Sequence, residues 1–296
     1  MTIKLGIIGC SIGNGHPYSW SAIFNGYNSL AMKASGYPII SEYLDKEDWP
    51  SVRILDAKVT SIWTQDISQS KHIAKASFIE NVCSSLNELE ESVDAVLLAR
   101  DDAENHLKFA KQFLIAGKPI YIDKPIALSM SALNELYQYQ QYDGQIFTCS
   151  ALRYSPDLML NAEQKEKVGK IISISSCTPK SWAKYAVHII EPVLNMLDVS
   201  DKPKNIKKIS GFTGTSKLHV EWESGVLTTF SALGDVNKPI KISVKGDNGE
   251  LDLIFKNTFI SFKSALKDFI SGISTGECKS PFEFNAKVVN LIERGM

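Results

Sequence analysis

The chain has 296 residues, 44% hydrophobic and 22% charged, enough to bury the cores of two domains and too apolar to stay disordered. Its 32 Lys plus Arg against 33 Asp plus Glu leave a net charge of −1, so it offers no basic field for nucleic acid or anionic lipid, and a small-molecule partner is the default. No apolar run approaches the roughly 18–20 residues of a membrane span, and the five cysteines are scattered without a Cys-x-x-Cys pair, which argues for reduced thiols in a cytoplasmic protein rather than a disulfide framework or a zinc site.

Residues 3–9 read as a strand that starts the fold, because the first ten residues carry a single Lys and reach a glycine turn, unlike a secretory signal. Further strands are expected at 58–64, 94–99, 119–123 and 145–149, several of them apolar without alternation. Between them, helical periodicity covers 18–35, 68–77, 103–116 and 130–141, with a stop at Ala116-Gly117-Lys118-Pro119 and an N-cap at Ser129. Alternating strands and helices predict a parallel sheet covered on both faces.

After about Arg153 the pattern changes to one helix, 183–197, and a series of strands with turns at Glu223-Ser224-Gly225 and Asp247-Asn248-Gly249. Runs 217–223 with 226–232, and 240–245 with 250–255, read as hairpins, and helices at 263–274 and 285–294 close the chain. The fold class is therefore α/β followed by α+β on a mostly antiparallel open sheet. A first domain spans 1–125, with 129–141 and 145–149 packing on it, and a second spans 151–296; no linker or repeat marks the join. An exposed hydrophobic face on the second sheet would need a partner.

The strongest local signal is Gly6-Ile7-Ile8-Gly9-Cys10-Ser11-Ile12-Gly13-Asn14-Gly15-His16, after the first strand and before a helix. Glycines there let the backbone approach a pyrophosphate at a helix N-terminus, so Gly9, Ser11, Ile12, Gly13, Asn14, Gly15 and His16 are cofactor candidates. Ser11 stands where the second glycine of G-x-G-x-x-G belongs; the competing reading is a glycine turn with no cofactor. At the end of the second strand Thr64 takes the position of the ribose-binding acid, with Asp66 two residues on as a ribose contact or a helix N-cap, so NAD and NADP both stay open.

Asp123-Lys124-Pro125 ends a strand at the carboxyl edge of the sheet, where Asp123 and Lys124 are further cofactor candidates and Lys124 can hydrogen-bond a substrate hydroxyl; a surface lysine paired with Asp123 is the plain alternative. Ala99, Arg100 and His106 flank the neighbouring strand end and either meet the cofactor or pack. Arg153 and Tyr154 can contact an anion or hydroxyl. Lys184, His188 and Glu191 share a helix face by their spacing, which points to a site or to solvent. The histidines lack metal-ligand spacing, and no metal is expected.

In this order, the Gly-rich turn with His16, Asp123-Lys124-Pro125, Arg153, Val168-Gly169-Lys170-Ile171 and His188 resemble the glucose-fructose oxidoreductase / inositol dehydrogenase (Gfo/Idh/MocA) family over nearly the whole chain. The resemblance implies an N-terminal Rossmann domain holding NAD or NADP, and a C-terminal domain whose sheet forms homodimers or homotetramers. It implies an NAD(P)-dependent dehydrogenase or reductase acting on CH–OH groups of a sugar, cyclitol or sugar-derived substrate. Lys124 would then hold the reacting oxygen and His188 act as acid or base, with Lys184 among the catalytic residues, and with Lys124, Arg153, Tyr154, Lys184 and His188 contacting substrate. Lys184 departs from the aspartate often found four residues before the histidine; it would depress the histidine's pKa and favour anionic substrates. The alternatives are a catalytically degenerate member that binds a sugar or nucleotide as sensor or assembly subunit, and a lyase or glycosidase that uses NAD transiently.

Overall fold

The computed structural model describes residues 2–210 and 215–296. The first half runs β1 Ile3–Gly9, α1 His16–Asn25, α2 Ser29–Lys33, α3 Pro38–Leu44, β2 Ala57–Thr64, α4 Ile67–Ala76, β3 Asn81–Val82, α5 Leu86–Ser92, β4 Ala95–Leu98, α6 His106–Ile115, β5 Ile120–Ile122, α7 Met130–Tyr137 and β6 Ile146–Phe147. The second half runs α8 Ala162–Val168, β7 Ile171–Thr178, α9 Trp182–Tyr185, α10 Val187–Leu194, β8 Pro203–Ser210, β9 Ser216–Trp222, β10 Leu227–Ala232, β11 Lys241–Gly246, β12 Glu250–Ile254, α11 Thr258–Thr275 and α12 Phe282–Gly295.

Among the described residues the first sheet has six strands in the order β3-β2-β1-β4-β5-β6, all parallel. Its central strands are apolar on both faces: Leu5, Ile7 and Ile8 of β1 and the whole of β4 are buried. The order reverses at β1, so the β1 and β4 carboxyl ends diverge there, the position at which open α/β sheets hold ligands.

The helix expected over 18–35 is divided. Gly26, at φ +82°, ends α1 and its N–H bonds back to the Ala22 carbonyl, after which Asn28 caps α2 with its side chain on the Ala31 N–H. The single helix expected over 183–197 is likewise two, α9 and α10, meeting at Ala186, whose backbone stays helical. Lys184 and His188 therefore stand on successive helices.

The second sheet has the order β12-β11-β7-β10-β9-β8, antiparallel throughout except for the parallel β7–β10 pair. Ile174, Leu218, Val220, Trp222, Phe230, Ile242 and Val244 alternate onto its buried face, packed with Trp182, Ile189, Ile190 and Val193 of α9 and α10. The other face corrects the expectation of a hydrophobic surface. Ser173, Ser175, Thr229, Ser231 and Ser243, with Lys217, His219 and Lys241, hold most of the alternate positions there, beside Cys177 and the exposed Leu227.

The chain divides into two compact units: residues 1–127, 132–148 and 263–282 form one, and 128–131, 149–262 and 283–296 the other. This differs from the expected division at 263–282, which belongs with the parallel sheet. The reason is aromatic packing: Phe269 of α11 lies 5.7 Å from Tyr121 and 5.6 Å from Phe147, whose rings, with Trp20 stacked 4.6 Å from Tyr121, form one apolar cluster.

Candidate functional site

In the first unit the site builds up from the β1–α1 loop. Gly9 is required by packing, since a Cβ there would lie 2.5 Å from Cγ of Pro17 in the first turn of α1. Gly13, at φ +79°, turns the loop, and a Cβ there would meet nothing within 4 Å. Ile12 is 98% exposed at the loop tip. Gly15 caps α1 without a side-chain bond, and the backbone N–H groups of Ile12, Gly13 and Gly15 find no acceptor among the described residues. Such a run of unpartnered N–H groups at the start of a ten-residue helix fits a diphosphate, so the loop suits a dinucleotide despite its altered spacing.

Ser11, in place of a glycine, is used structurally. Its hydroxyl donates to Asp101 Oδ1 at 2.6 Å and accepts the Asp101 N–H at 3.1 Å, tying the loop to the segment that follows β4. Arg100 makes a second tie: Nη1 donates to the Cys10 carbonyl (2.7 Å) and Gln65 Oε1 (3.0 Å), Nε and Nη2 form a bidentate pair with Asp102 (2.9 and 2.6 Å), and the guanidinium lies over Phe109 at 4.5 Å. Burial opposes ionisation of Asp102, but the Arg100 fork outweighs it and lowers its pKa. The Gln65 amide also donates to the Cys10 carbonyl at 2.6 Å. Arg100 thus braces the ends of three neighbouring strands.

Thr64 is buried, its hydroxyl donating to the Asp66 carbonyl (2.6 Å) and sharing a hydrogen bond with Ser70 (2.8 Å). Asp66 is the N-cap of α4; its carboxylate accepts the Ser68 hydroxyl at 2.7 Å and the Ser68 N–H at 2.8 Å, bonds that lower its pKa. Ala99 is buried, and its N–H continues the sheet to the Ile8 carbonyl. His106 is also buried, both ring nitrogens facing carbonyls, Ile126 at 2.9 Å and Arg100 at 2.7 Å, so it joins two strand ends.

A cluster forms around Asp123 at the end of β5. Asn14 Nδ2 donates to Asp123 Oδ2 (2.9 Å), His16 Nδ1 lies 2.5 Å from the same oxygen, and the Lys124 N–H donates to Oδ1 at 2.7 Å. Burial resists the charge on Asp123, yet His16 and Lys124 together hold its carboxyl well below the usual range. His16 is in turn stacked 5.1 Å from Trp20. The Gly-rich loop and the strand bearing Lys124 are therefore one hydrogen-bonded body.

The second unit holds the other group of candidates. His188 Nδ1 lies 2.7 Å from Ser150 Oγ, and its ring meets Tyr185 edge-on at 5.4 Å. Glu191, one turn further on, is buried; its Oε1 accepts the Ser150 N–H at 2.9 Å and its Oε2 lies 3.8 Å from Arg153 Nε. Burial lifts the Glu191 carboxyl to about 7, against the opposing pull of Arg153 and the Ser150 amide. The Arg153 guanidinium donates to Tyr154 Oη at 2.8 Å and packs over the Tyr154 and Phe284 rings. Lys184 is half-buried one turn before His188, and Lys180 Nζ donates to Tyr185 Oη at 2.9 Å.

Spacing alone places Lys184, His188 and Glu191 on one face; the structure adds that Glu191 is a buried partner of Arg153. Gln65 and Ser150 were not singled out from sequence, Gln65 having only its position beside a strand end as a signal. Among the described residues no group of three or more His, Cys, Asp or Glu can hold a metal ion, and no helix is long and apolar enough to cross a membrane.

A family model described as an oxidoreductase family with an NAD-binding Rossmann fold, GFO_IDH_MocA, matches residues 3–150. No curated protein matches the chain. Among solved structures, the fold is similar to a probable dehydrogenase from Thermotoga maritima (TM-score 0.73, 15% identity, 98% of this chain and 94% of that one). It is similar also to scyllo-inositol dehydrogenase from Lactobacillus casei with bound NAD(H) and scyllo-inositol (TM-score 0.70, 16% identity, 99% and 95% covered). A third is UDP-N-acetylglucosamine 3-dehydrogenase from Acidithiobacillus ferrooxidans (TM-score 0.70, 12% identity, 99% and 96% covered). At these identities the likeness is one of fold.

Proposed function

Because the chain belongs to the Gfo/Idh/MocA oxidoreductase family and carries its NAD-binding Rossmann domain, we propose that it is a dehydrogenase acting on a CH–OH group of a sugar, cyclitol or sugar-derived substrate. The observation that carries the reading is the loop of unpartnered N–H groups at Ile12, Gly13 and Gly15, bonded through Asn14 and His16 to the strand end that bears Lys124. The nicotinamide, when bound, supplies the hydride acceptor or donor. Residues 9–16 hold the diphosphate, with the strand ends at Thr64, Asp66, Ala99 and Arg100 bordering the rest of the cofactor. Lys124 hydrogen-bonds the reacting oxygen and carries charge toward it as the alkoxide character develops. His188 takes the hydroxyl proton in oxidation and returns it in reduction. Arg153, Tyr154 and Lys184 bind substrate, and the cation at Lys184 favours an acidic or nucleotide-activated sugar. The same reading places the protein in the cytoplasm and has copies of the chain pair through the polar face of the second sheet.

Fluorescence titration with NADH and NADPH, followed by a hydride-transfer screen over cyclitols, sugars, uronic acids and nucleotide sugars, tests it. Saturable binding and turnover are expected, and His188→Ala should lower kcat about 10²–10⁴-fold with NADH binding kept. A second reading, a sugar-binding sensor without turnover, draws on Lys184 in the place of the family's frequent aspartate. Binding of dinucleotide and sugar with no hydride transfer would establish it instead.

A further inference from the structure

We propose that Tyr37 is a further cofactor-binding residue: the segment between α1 and β2 lays its ring against the Gly-rich loop, and its hydroxyl donates a hydrogen bond to the diphosphate of the bound dinucleotide. The proposal rests on the reading that residues 9–16 hold that diphosphate.

The connection from a helix to the next parallel strand ordinarily takes about 2–6 residues, and much longer ones inside a compact domain are usually functional. Here residues 26–56 separate α1 from β2 and carry α2 and α3. The excursion leaves α1 at its C-terminal end, and α3 returns it to the start of the same helix. Tyr37 is the N-cap of α3: its carbonyl accepts the Ile40 N–H at 3.0 Å, its own N–H donates to Ser35 Oγ at 3.2 Å, and Pro38 opens the helix. The backbone that carries the ring is thereby fixed.

The ring meets the loop at Gly15. A Cβ there would lie 2.9 Å from Tyr37 Cγ and 2.6 Å from Ile40 Cδ1. Gly15 has φ −94°, a backbone open to any residue, so what requires glycine is the approach of this segment. Behind the ring stands Tyr18, 6.0 Å away and tilted by 49°, whose hydroxyl lies 2.8 Å from His72 Nδ1 on α4.

The far end of the ring is differently placed. Tyr37 is half-buried, and its hydroxyl has no hydrogen-bond partner among the described residues, so the group is open to a ligand. Burial, with Cys10 and Asp101 nearby, raises its pKa, and the phenol keeps its proton. Cys10 and Asp101 lie in the segments that follow β1 and β4, where the crevice opens. The ring therefore runs from the head of α1 toward that crevice and brings a protonated donor beside the N–H groups of Ile12, Gly13 and Gly15. A diphosphate offers several charged oxygens, of which the helix start meets only one side; the phenol supplies a donor from the other.

NADH fluorescence titration and its competition by ADP-ribose, on the full-length wild type, Tyr37→Phe and Tyr27→Phe, test the assignment, with urea unfolding of each. Tyr37→Phe keeps the ring on Gly15, so its urea midpoint should match the wild type while NADH and ADP-ribose both bind about tenfold more weakly. Tyr27→Phe removes a hydroxyl of the same segment that donates to Asp45, and should leave both affinities unchanged. Wild-type affinities in Tyr37→Phe overturn the proposal and leave the dinucleotide reading standing. An equal loss in Tyr27→Phe also overturns it, because the effect would then belong to the segment at large, as does a loss for NADH without one for ADP-ribose, which would put the contact on the nicotinamide. If the wild type binds neither NADH, NADPH nor ADP-ribose, both readings fail together.

Discussion

The contact between β1 and α1 can be broken by one methyl group. In Gly9→Ala the new Cβ would sit 2.5 Å from Pro17 Cγ, about 1 Å inside ordinary carbon–carbon contact. Pro17 cannot swing away, because its ring is closed on the backbone of the first turn of α1. The helix start must therefore move by something near that distance, and overpacking of this kind costs about 1–3 kcal/mol. The same movement displaces the N–H groups of Ile12, Gly13 and Gly15. Losing one well-aimed bond to a charged phosphate costs about 1.5–3 kcal/mol, which is tenfold or more in affinity. Gly117→Ala, outside the loop, is the control: its Cβ meets nothing within 4 Å, so only the left-handed backbone at φ +72° is strained, at about 1–2 kcal/mol. Urea unfolding and NADH fluorescence titration on both variants separate the effects. Gly9→Ala should lose at least tenfold in NADH affinity along with its stability, and Gly117→Ala should lose stability with its NADH affinity kept. A Gly9→Ala protein that unfolds and binds NADH like the wild type would show that the packing of α1 on β1 does not set the loop.

Two further outcomes follow from buried groups. Because burial raises Glu191 from 4.5 to about 7, the folded protein keeps a proton there that the unfolded chain releases, so stability falls as pH rises through that window. Glu191→Gln should flatten the difference in urea midpoint between about pH 5 and 7.5, and an unchanged slope would refute the assignment. Burial also pushes the Cys10 thiol up to about 12 despite the nearby Arg100, so iodoacetamide at about pH 8 should leave Cys10 unmodified in the native protein and label it in urea, as read by peptide mass mapping.

Much of the architecture could be read before any coordinates, because it depends on local pattern. The apolar runs of β1 and β4 carry the unalternating signature of strands covered on both faces, and Asp247-Asn248-Gly249 marks the β11–β12 turn. What escaped depends on partners far away in sequence. Gly26 divides the first helical stretch, yet a glycine within an otherwise helical pattern gives no sign of whether it ends the helix. The polar outer face of the second sheet follows from which alternate residues face α10, which strand period alone does not choose. In the site, Arg100, His106 and Lys124 could be named from their places at strand ends. That Arg100 would spend its donors on Cys10, Gln65 and Asp102, and that His106 would join two carbonyls, depends on strand order. Ser150 carried no motif at all, and only the fold sets it against His188.

Because residues 263–282 complete the unit built around the parallel sheet, a fragment ending near residue 150 would present Tyr121 and Phe147 without Phe269 over them. During synthesis, the nascent nucleotide-binding half would wait in a partly open form while the whole antiparallel sheet is translated. That interval is one in which chaperones, rather than the chain's own later segments, would shield its aromatic surface.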